Sequence, residues 1–116
     1  MTMHARRRLL SAALAVALIA AFPVSYAGAA DVTIKIDNFT FDPPELKIPA
    51  GTAVTWINHD DIPHTVVATN KLFRSAPLDT DDKYSFTFVS PGTYEYFCSL
   101  HPHMKATIVV EASGQK

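Results

Sequence analysis

The segment YEYFCSLHPHMK, residues 94–105, concentrates side chains that bind soft metal ions. Cys98, the only cysteine of the chain, is followed at intervals of three residues by His101 and Met104. Thiolate and thioether sulfurs are soft ligands that favour copper, and imidazole nitrogen binds copper as well as several other transition metals. A turn between two strands could direct all three side chains to one point, whereas a straight strand would alternate them between its faces. The segment therefore indicates a metal site that lacks one ligand.

The missing ligand is expected in the segment NHDDIPHTVV, residues 58–67. His64 follows Pro63 at the start of a β-branched run, so a turn before a strand would present its ring. His59 competes for the role, but it precedes Asp60 and Asp61 in a polar turn, where a solvated imidazole is ordinary. We favour His64. Two histidines, one cysteine and a weak axial methionine are typical of blue-copper sites that transfer electrons.

Other interpretations of the cluster stay open on chemistry alone. A structural zinc ion prefers four nitrogen, sulfur or oxygen ligands of ordinary strength, and the fourth donor here is a thioether. A cysteine nucleophile with a histidine base would explain neither Met104 nor a second histidine. Cys98 could also be a small buried core residue. A lone cysteine in an exported protein is prone to pairing or oxidation, which favours a metal-bound thiolate.

The residues that must position this site have the period of β-strands. Val32, Ile34 and Ile36 alternate with polar residues, and KYSFTFV alternates in the same way over residues 83–89. Turn signals separate the segments, for example DPPE at 42–45 and SPG at 90–92. Further strands are predicted over residues 45–48, 52–58, 65–68, 93–97 and 106–111, with an irregular crossover over 70–82. The pattern predicts an antiparallel β-sandwich or a small Greek-key barrel.

The first thirty residues predict a secretory signal peptide that is cleaved near Ala29 or Ala30. Three arginines precede an apolar run of fourteen residues, 9–22, which is shorter than the roughly twenty residues that span a membrane. Residues 31–116 then form one domain with seven Lys and Arg against eleven Asp and Glu. This acidic balance argues against nucleic acid or an anionic membrane surface as a partner.

The chain resembles the cupredoxins, the blue type 1 copper proteins, and among them amicyanin more than plastocyanin or pseudoazurin. The resemblance runs from FDPPELKIPAGTAVTWIN through PHTV to SPGTYEYFCSLHPHMKATIVV. Its most specific feature is the short spacing of Cys98, His101 and Met104, which is similar to that of amicyanin. One departure is His103, since loops of this type usually carry an apolar aromatic residue there.

The resemblance implies a fold and a ligand set. The fold would be an all-β, cupredoxin-like Greek-key β-sandwich of about seven to eight strands. One copper ion would cycle between Cu(II) and Cu(I), bound by His64, Cys98, His101 and Met104. Asn58 would brace the ligand loop with a hydrogen bond, and the backbone N–H of Thr65 would donate to the Cys98 sulfur.

The resemblance also implies a function, that of a periplasmic, monomeric one-electron carrier that catalyses no reaction of its own. Its partners would be redox proteins, such as a dehydrogenase donor and a c-type cytochrome acceptor, with His101 as the exit for electrons. The alternative is a periplasmic protein that carries or buffers copper for delivery to an oxidase. A multicopper enzyme would need further histidine clusters, and the chain has five histidines in all.

Overall fold

The computed structural model describes residues 31–113, which contain eight β-strands. The predicted signal peptide lies outside these residues. Among them, no helix is long and apolar enough to cross a membrane. The strands are β1 (Asp31–Asp37), β2 (Thr40–Asp42), β3 (Glu45–Pro49), β4 (Thr52–Asn58), β5 (Val67–Ala68), β6 (Lys83–Phe88), β7 (Gly92–Cys98) and β8 (His101–Glu111).

The strands form two sheets of four, in the orders β2-β1-β4-β6 and β3-β8-β7-β5. The predicted all-β sandwich is confirmed, and each sheet is mixed, whereas the sequence pattern predicted antiparallel pairing. Strand β1 pairs with β4 in parallel, and β3 pairs with β8 in parallel. Parallel neighbours need a crossover connection, so their pairing depends on which distant segments meet. Alternation within one strand carries no information about that choice.

The core lies between the sheets and follows the predicted alternation. Along β4 every second side chain is buried, from Thr52 to Asn58. Trp56 lies at the centre of this face with no exposed surface, and its indole packs against the rings of Phe73, Phe88 and Tyr96. The polar residue at the end of β4, Asn58, is buried as well. The buried face of β4 thus leads from an apolar core to a polar group at one end of the sandwich.

Three chain segments meet at that end. The end of β1 lies beside the end of β4, where Ile36 is paired with Asn58. The N–H of His59 donates to the carbonyl of Ile36 at 2.7 Å, and this bond continues the contact beyond the strands. The turn between β7 and β8 supplies the third segment. The predicted ligand segments therefore lie at the same end of the fold.

The burial of each apolar side chain predicts how much it stabilises the fold. Ile108 has no exposed surface, whereas Val89, beyond the opposite end of β6, is 72% exposed. Replacing Ile108 with Val removes one core methylene, so the free energy of unfolding should fall by about 1 kcal/mol. Replacing Val89 with Ala should change it by less than about 0.5 kcal/mol. Urea denaturation of both variants checks this, and equal losses would contradict the assigned faces.

Candidate metal centre

Three strong metal-binding groups converge at the end of the sandwich. One ligand atom from each of His64, Cys98 and His101 lies within 4.8 Å of the other two. The Cys98 sulfur is 3.7 Å from Nδ1 of His64 and 3.7 Å from Nδ1 of His101. His64 and Cys98 have no exposed surface, and His101 is partly exposed. The structure thus brings together three of the four predicted ligands.

The turn after Cys98 is shorter than the loop that the sequence suggested. Cys98 ends β7 and is paired with His101 at the start of β8, so only Ser99 and Leu100 form the turn. The preceding pair joins Phe97 to Lys105, which leaves three residues of β8, 102–104, without partners. These residues form a bulge, and bulges re-aim side chains locally.

In this bulge, the fourth predicted ligand faces the core, and the two residues before it face solvent. Met104 is 5% exposed and belongs to the same buried cluster as Cys98, whereas Pro102 and His103 are exposed. The thioether therefore lies on the buried side of this segment and the His103 imidazole on its solvent side. His59 is also exposed, and the cluster does not include it.

A short bridge holds His64 in place. Its N–H donates to the carbonyl of Leu78 at 3.1 Å, and the N–H of Leu78 donates back to the His64 carbonyl at 2.7 Å. The strand predicted over residues 65–68 is reduced to Val67–Ala68, because its first residues contact the 74–78 segment and the Cys98 turn. The backbone of His64 is thus bound to the crossover segment 70–82, which has little regular structure.

Asp60 sets the orientation of the His64 ring. Nε2 of His64 is 2.8 Å from Oδ2 of Asp60, while Nδ1 faces the Cys98 sulfur. A carboxylate accepts hydrogen bonds, so the proton of the neutral ring lies on Nε2 and leaves Nδ1 free to bind a metal. A carboxylate that holds a ligand histidine in this way fixes its tautomer and the orientation of its ring.

The Asp60 carboxylate is itself held in its ionised form. Burial raises its pKa, but hydrogen bonds from the Phe39 N–H, the His64 ring and the Asn38 N–H lower it below the ordinary value. In the sequence, Asp60 indicated only a polar turn, and this role was not predicted. Its position four residues before His64 was the available signal.

Thr65 connects the two ligand segments. Its backbone N–H donates to the Cys98 sulfur at 3.3 Å. Its Oγ1 accepts the Ser99 N–H at 2.7 Å and lies 2.7 Å from the Ser99 hydroxyl. Thr65 is 4% exposed; its bond to the sulfur is buried, and its two bonds to Ser99 are partly buried. Thr65, which follows His64, therefore braces the turn between Cys98 and His101.

Asn58 braces a different segment from the one expected. Its Nδ2 donates to the carbonyls of Ile62 and Leu78, each at 2.8 Å, and its Oδ1 accepts the Asp60 N–H at 2.9 Å. Both amide protons and the oxygen are engaged, so the expected bond to the Cys98 turn is replaced by bonds to the His64 turn. Thr65 supplies the link to the Cys98 turn in its place.

The donor set fits a copper ion. Metal–sulfur and metal–nitrogen bonds of about 2.3 Å and about 2.0 Å together exceed the observed 3.7 Å separations, so one ion can bridge the Cys98 sulfur and either imidazole. Zinc in structural sites takes a fourth strong ligand. In residues 31–113 the group of convergent strong donors has three members, and the nearby buried donor is a thioether. A soft sulfur pair with two imidazoles is the combination that copper favours.

The bracing role of Thr65 is tested with a matched pair of variants. Thr65→Val removes the acceptor of the partly buried Ser99 N–H and the bond to the Ser99 hydroxyl, so the free energy of unfolding should fall by about 1–3 kcal/mol. Thr55→Val breaks an exposed bond to Ser85, of 2.6 Å, on the outer face. That loss should be below about 1 kcal/mol. Denaturation of the metal-free proteins distinguishes them, and equal losses would contradict a bracing role.

Comparison with known proteins agrees with this geometry. The sequence matches the family model of the cupredoxin-like domain over residues 10–110. It is 40% identical over 111 residues to amicyanin-alpha of Methylorubrum extorquens, covering 87% of this chain and 89% of the relative. It is 33% identical over 101 residues to plastocyanin of Scenedesmus fuscus, covering 70% of this chain and all of the relative.

A solved structure is similar as well. It is the Cu(I) form of an amicyanin variant, with a TM-score of 0.65, 36% identity, and coverage of 72% of this chain and 83% of that one. The two sheets, the convergent cysteine sulfur and imidazoles, and these relatives lead to one assignment. The chain belongs to the cupredoxin family, whose cofactor is a single copper ion.

Proposed function

We propose that this protein is a periplasmic one-electron carrier with one type 1 copper ion. The ligands would be His64, Cys98, His101 and Met104. The observation that carries the proposal is the placement of two Nδ1 atoms at 3.7 Å from one buried sulfur. When bound, copper alternates between Cu(II) and Cu(I) and so carries one electron. The amicyanin and plastocyanin relatives support a blue copper electron carrier.

The protein's own contribution is a set of ligands that two β-sheets hold in advance. Cys98 and His101 are paired across a tight turn, and His64 is fixed by its bridge to Leu78. The Thr65 N–H reduces the electron density available at the Cys98 sulfur, which tunes the site from outside the ligand set. Such a scaffold would limit rearrangement between the two oxidation states.

His101 is the proposed exit for electrons. Of the four ligands it alone has intermediate exposure, since the others are buried. Apolar side chains surround it on the surface: Leu100 is 50% exposed, Phe39 is 49% exposed, and Pro102 is exposed. A partner that docks on this apolar surface would approach the His101 ring. A protein of this kind needs no catalytic residue.

The partners would be redox proteins, with a dehydrogenase as donor and a c-type cytochrome as acceptor. The predicted mature domain is acidic, which favours partners with a basic docking face. The exposed His103 beside Met104 adds a polar group to the apolar surface, and it would distinguish this docking surface from one with an aromatic residue. Residues 1–30 support export to the periplasm, and we expect a monomer there.

Copper delivery to an oxidase is the alternative function. Fast transfer of a metal to another protein is favoured by exposed ligands that a partner can replace one after another. Here three of the four proposed ligands are buried. This burial supports electron transfer with retained copper over delivery of the ion.

Addition of Cu(II) to the metal-free protein tests the proposed site. The expected product has an intense thiolate-to-copper absorption band and narrow EPR hyperfine splitting. Cys98→Ala should abolish the colour, because it removes the thiolate. Met104→Leu should keep much of the colour and change the reduction potential, because a weak axial ligand is lost. His59→Ala, which alters an exposed histidine outside the cluster, serves as the control.

Two results would contradict the proposal. A colourless complex, or the spectrum of an ordinary tetragonal copper site, would exclude type 1 copper. A blue protein that loses copper rapidly to a chelator and exchanges electrons slowly would favour delivery. Electron self-exchange and transfer of the ion to a chelator, measured on the same sample, separate the two functions.

A further inference from the structure

The turn between β1 and β2 has an unusual residue in a position that favours glycine. Asp37 is paired with Thr40, so Asn38 and Phe39 form a two-residue hairpin turn. Both have positive φ angles, 51° and 59°. Turns of this mirror-image type favour Asn-Gly, because the second residue must adopt the left-handed conformation. Asn accepts that conformation readily, whereas Phe is strained by it.

Asp60 holds the strained turn. Its Oδ1 accepts the Asn38 N–H at 2.7 Å, and its Oδ2 accepts the Phe39 N–H at 2.9 Å. The same Oδ2 is 2.8 Å from Nε2 of His64. One carboxylate thus binds the backbone of the turn and the ring of a proposed ligand. A strained conformation persists only where its surroundings determine it, and these three bonds do so.

The Phe39 ring contacts both proposed histidine ligands. Its centroid is 5.4 Å from that of His64 and 5.1 Å from that of His101, with interplanar angles of 85° and 86°. The two imidazoles are 5.0 Å apart. Edge-to-face contacts at these distances are favourable. Since Phe39 is 49% exposed, it lies over the histidines and not in the core.

We infer that Phe39 is a positioning residue for the metal site, held by Asp60 in a strained turn so that its ring fixes the planes of His64 and His101. This inference rests on the proposed copper function and extends it. The ring also keeps water from one side of His101. An apolar cover disfavours the more highly charged oxidised site, so Phe39 should raise the reduction potential.

The turn therefore carries a trade-off between stability and function. Glycine at position 39 would relieve the backbone strain but leave the imidazoles without their aromatic neighbour. The strain is local to φ, so Phe39→Ala keeps it, and Phe39→Gly removes it. Both variants lack the ring. Comparing them separates the effect of the ring from the effect of the backbone.

Three measurements test the inference on these variants. The folding equilibrium constant of the metal-free Phe39→Gly protein should exceed that of Phe39→Ala by about tenfold. In both variants the copper-loaded protein should have a lower reduction potential than the wild type. Copper should also dissociate to a chelator about threefold to tenfold faster, as expected from the loss of one or two aromatic contacts. Val89→Ala, which shortens an exposed apolar side chain at the opposite end, should match the wild type in all three.

NMR of the metal-free protein tests the role of Asp60 without copper. The wild type should show nuclear Overhauser effects between the Phe39 ring and both imidazoles. Asp60→Ala should lose them, because the turn is released, and Asp61→Ala, at the neighbouring exposed carboxylate, should keep them. Retention of both effects in Asp60→Ala would overturn the holding role.

The outcomes for Phe39 and for the copper site are distinguishable. A blue wild type whose Phe39→Ala and Phe39→Gly variants keep its potential and dissociation rate would overturn the positioning role and leave the proposed function intact. A wild type that does not become blue would overturn the proposed function, and the inference with it. Phe39 variants that change only the rate with a redox partner would assign the ring to docking, which also overturns positioning.

Discussion

The contact between Thr65 and the turn after Cys98 joins the two halves of the site. The His64 segment and the Cys98 turn belong to parts of the chain more than thirty residues apart, and Thr65 binds the sulfur, the Ser99 N–H and the Ser99 hydroxyl. The two segments are also joined by β-pairing, since Val67 is paired with Phe97, the residue before Cys98. Together, the Thr65 bonds and this pairing place the Cys98 sulfur 3.7 Å from Nδ1 of His64.

Asp60 performs the corresponding task on the other side of His64. A partly buried carboxylate is costly unless it is hydrogen bonded, and three donors satisfy this one. Those bonds orient His64, fix the turn that carries Phe39, and keep the pKa of Asp60 low. The site is therefore built from two layers: ligands placed by strand ends, and polar contacts between loops that orient the ligands.

Much of this organisation could be predicted from local sequence. The period of two predicted the strands apart from the short β2, and the spacing of Cys98, His101 and Met104 identified three candidate ligands on a single segment. The choice of His64 over His59 used only flanking residues, and the structure places His64 in the cluster and His59 on the surface. These features depend on neighbours in the chain, which is why patterns reveal them.

The remaining features depend on contacts between distant segments. The parallel pairing of β1 with β4 follows from a crossover that no local period encodes. Asn58 was expected to bind the Cys98 turn, but which of two nearby loops an amide reaches depends on their packing. The roles of Asp60 and Phe39 need both the β1–β2 turn and the His64 segment in place. A half-exposed Phe in a hairpin turn has no distinctive sequence signature.

We infer that the fold assembles the copper ligands before the metal binds. Crystal structures of the metal-free and copper-loaded protein test it directly. We expect Nδ1 of His64, Sγ of Cys98 and Nδ1 of His101 to lie within 4.8 Å of one another in both forms, as they do here. A metal-free structure in which any one of these side chains turns out of the cluster would contradict the claim.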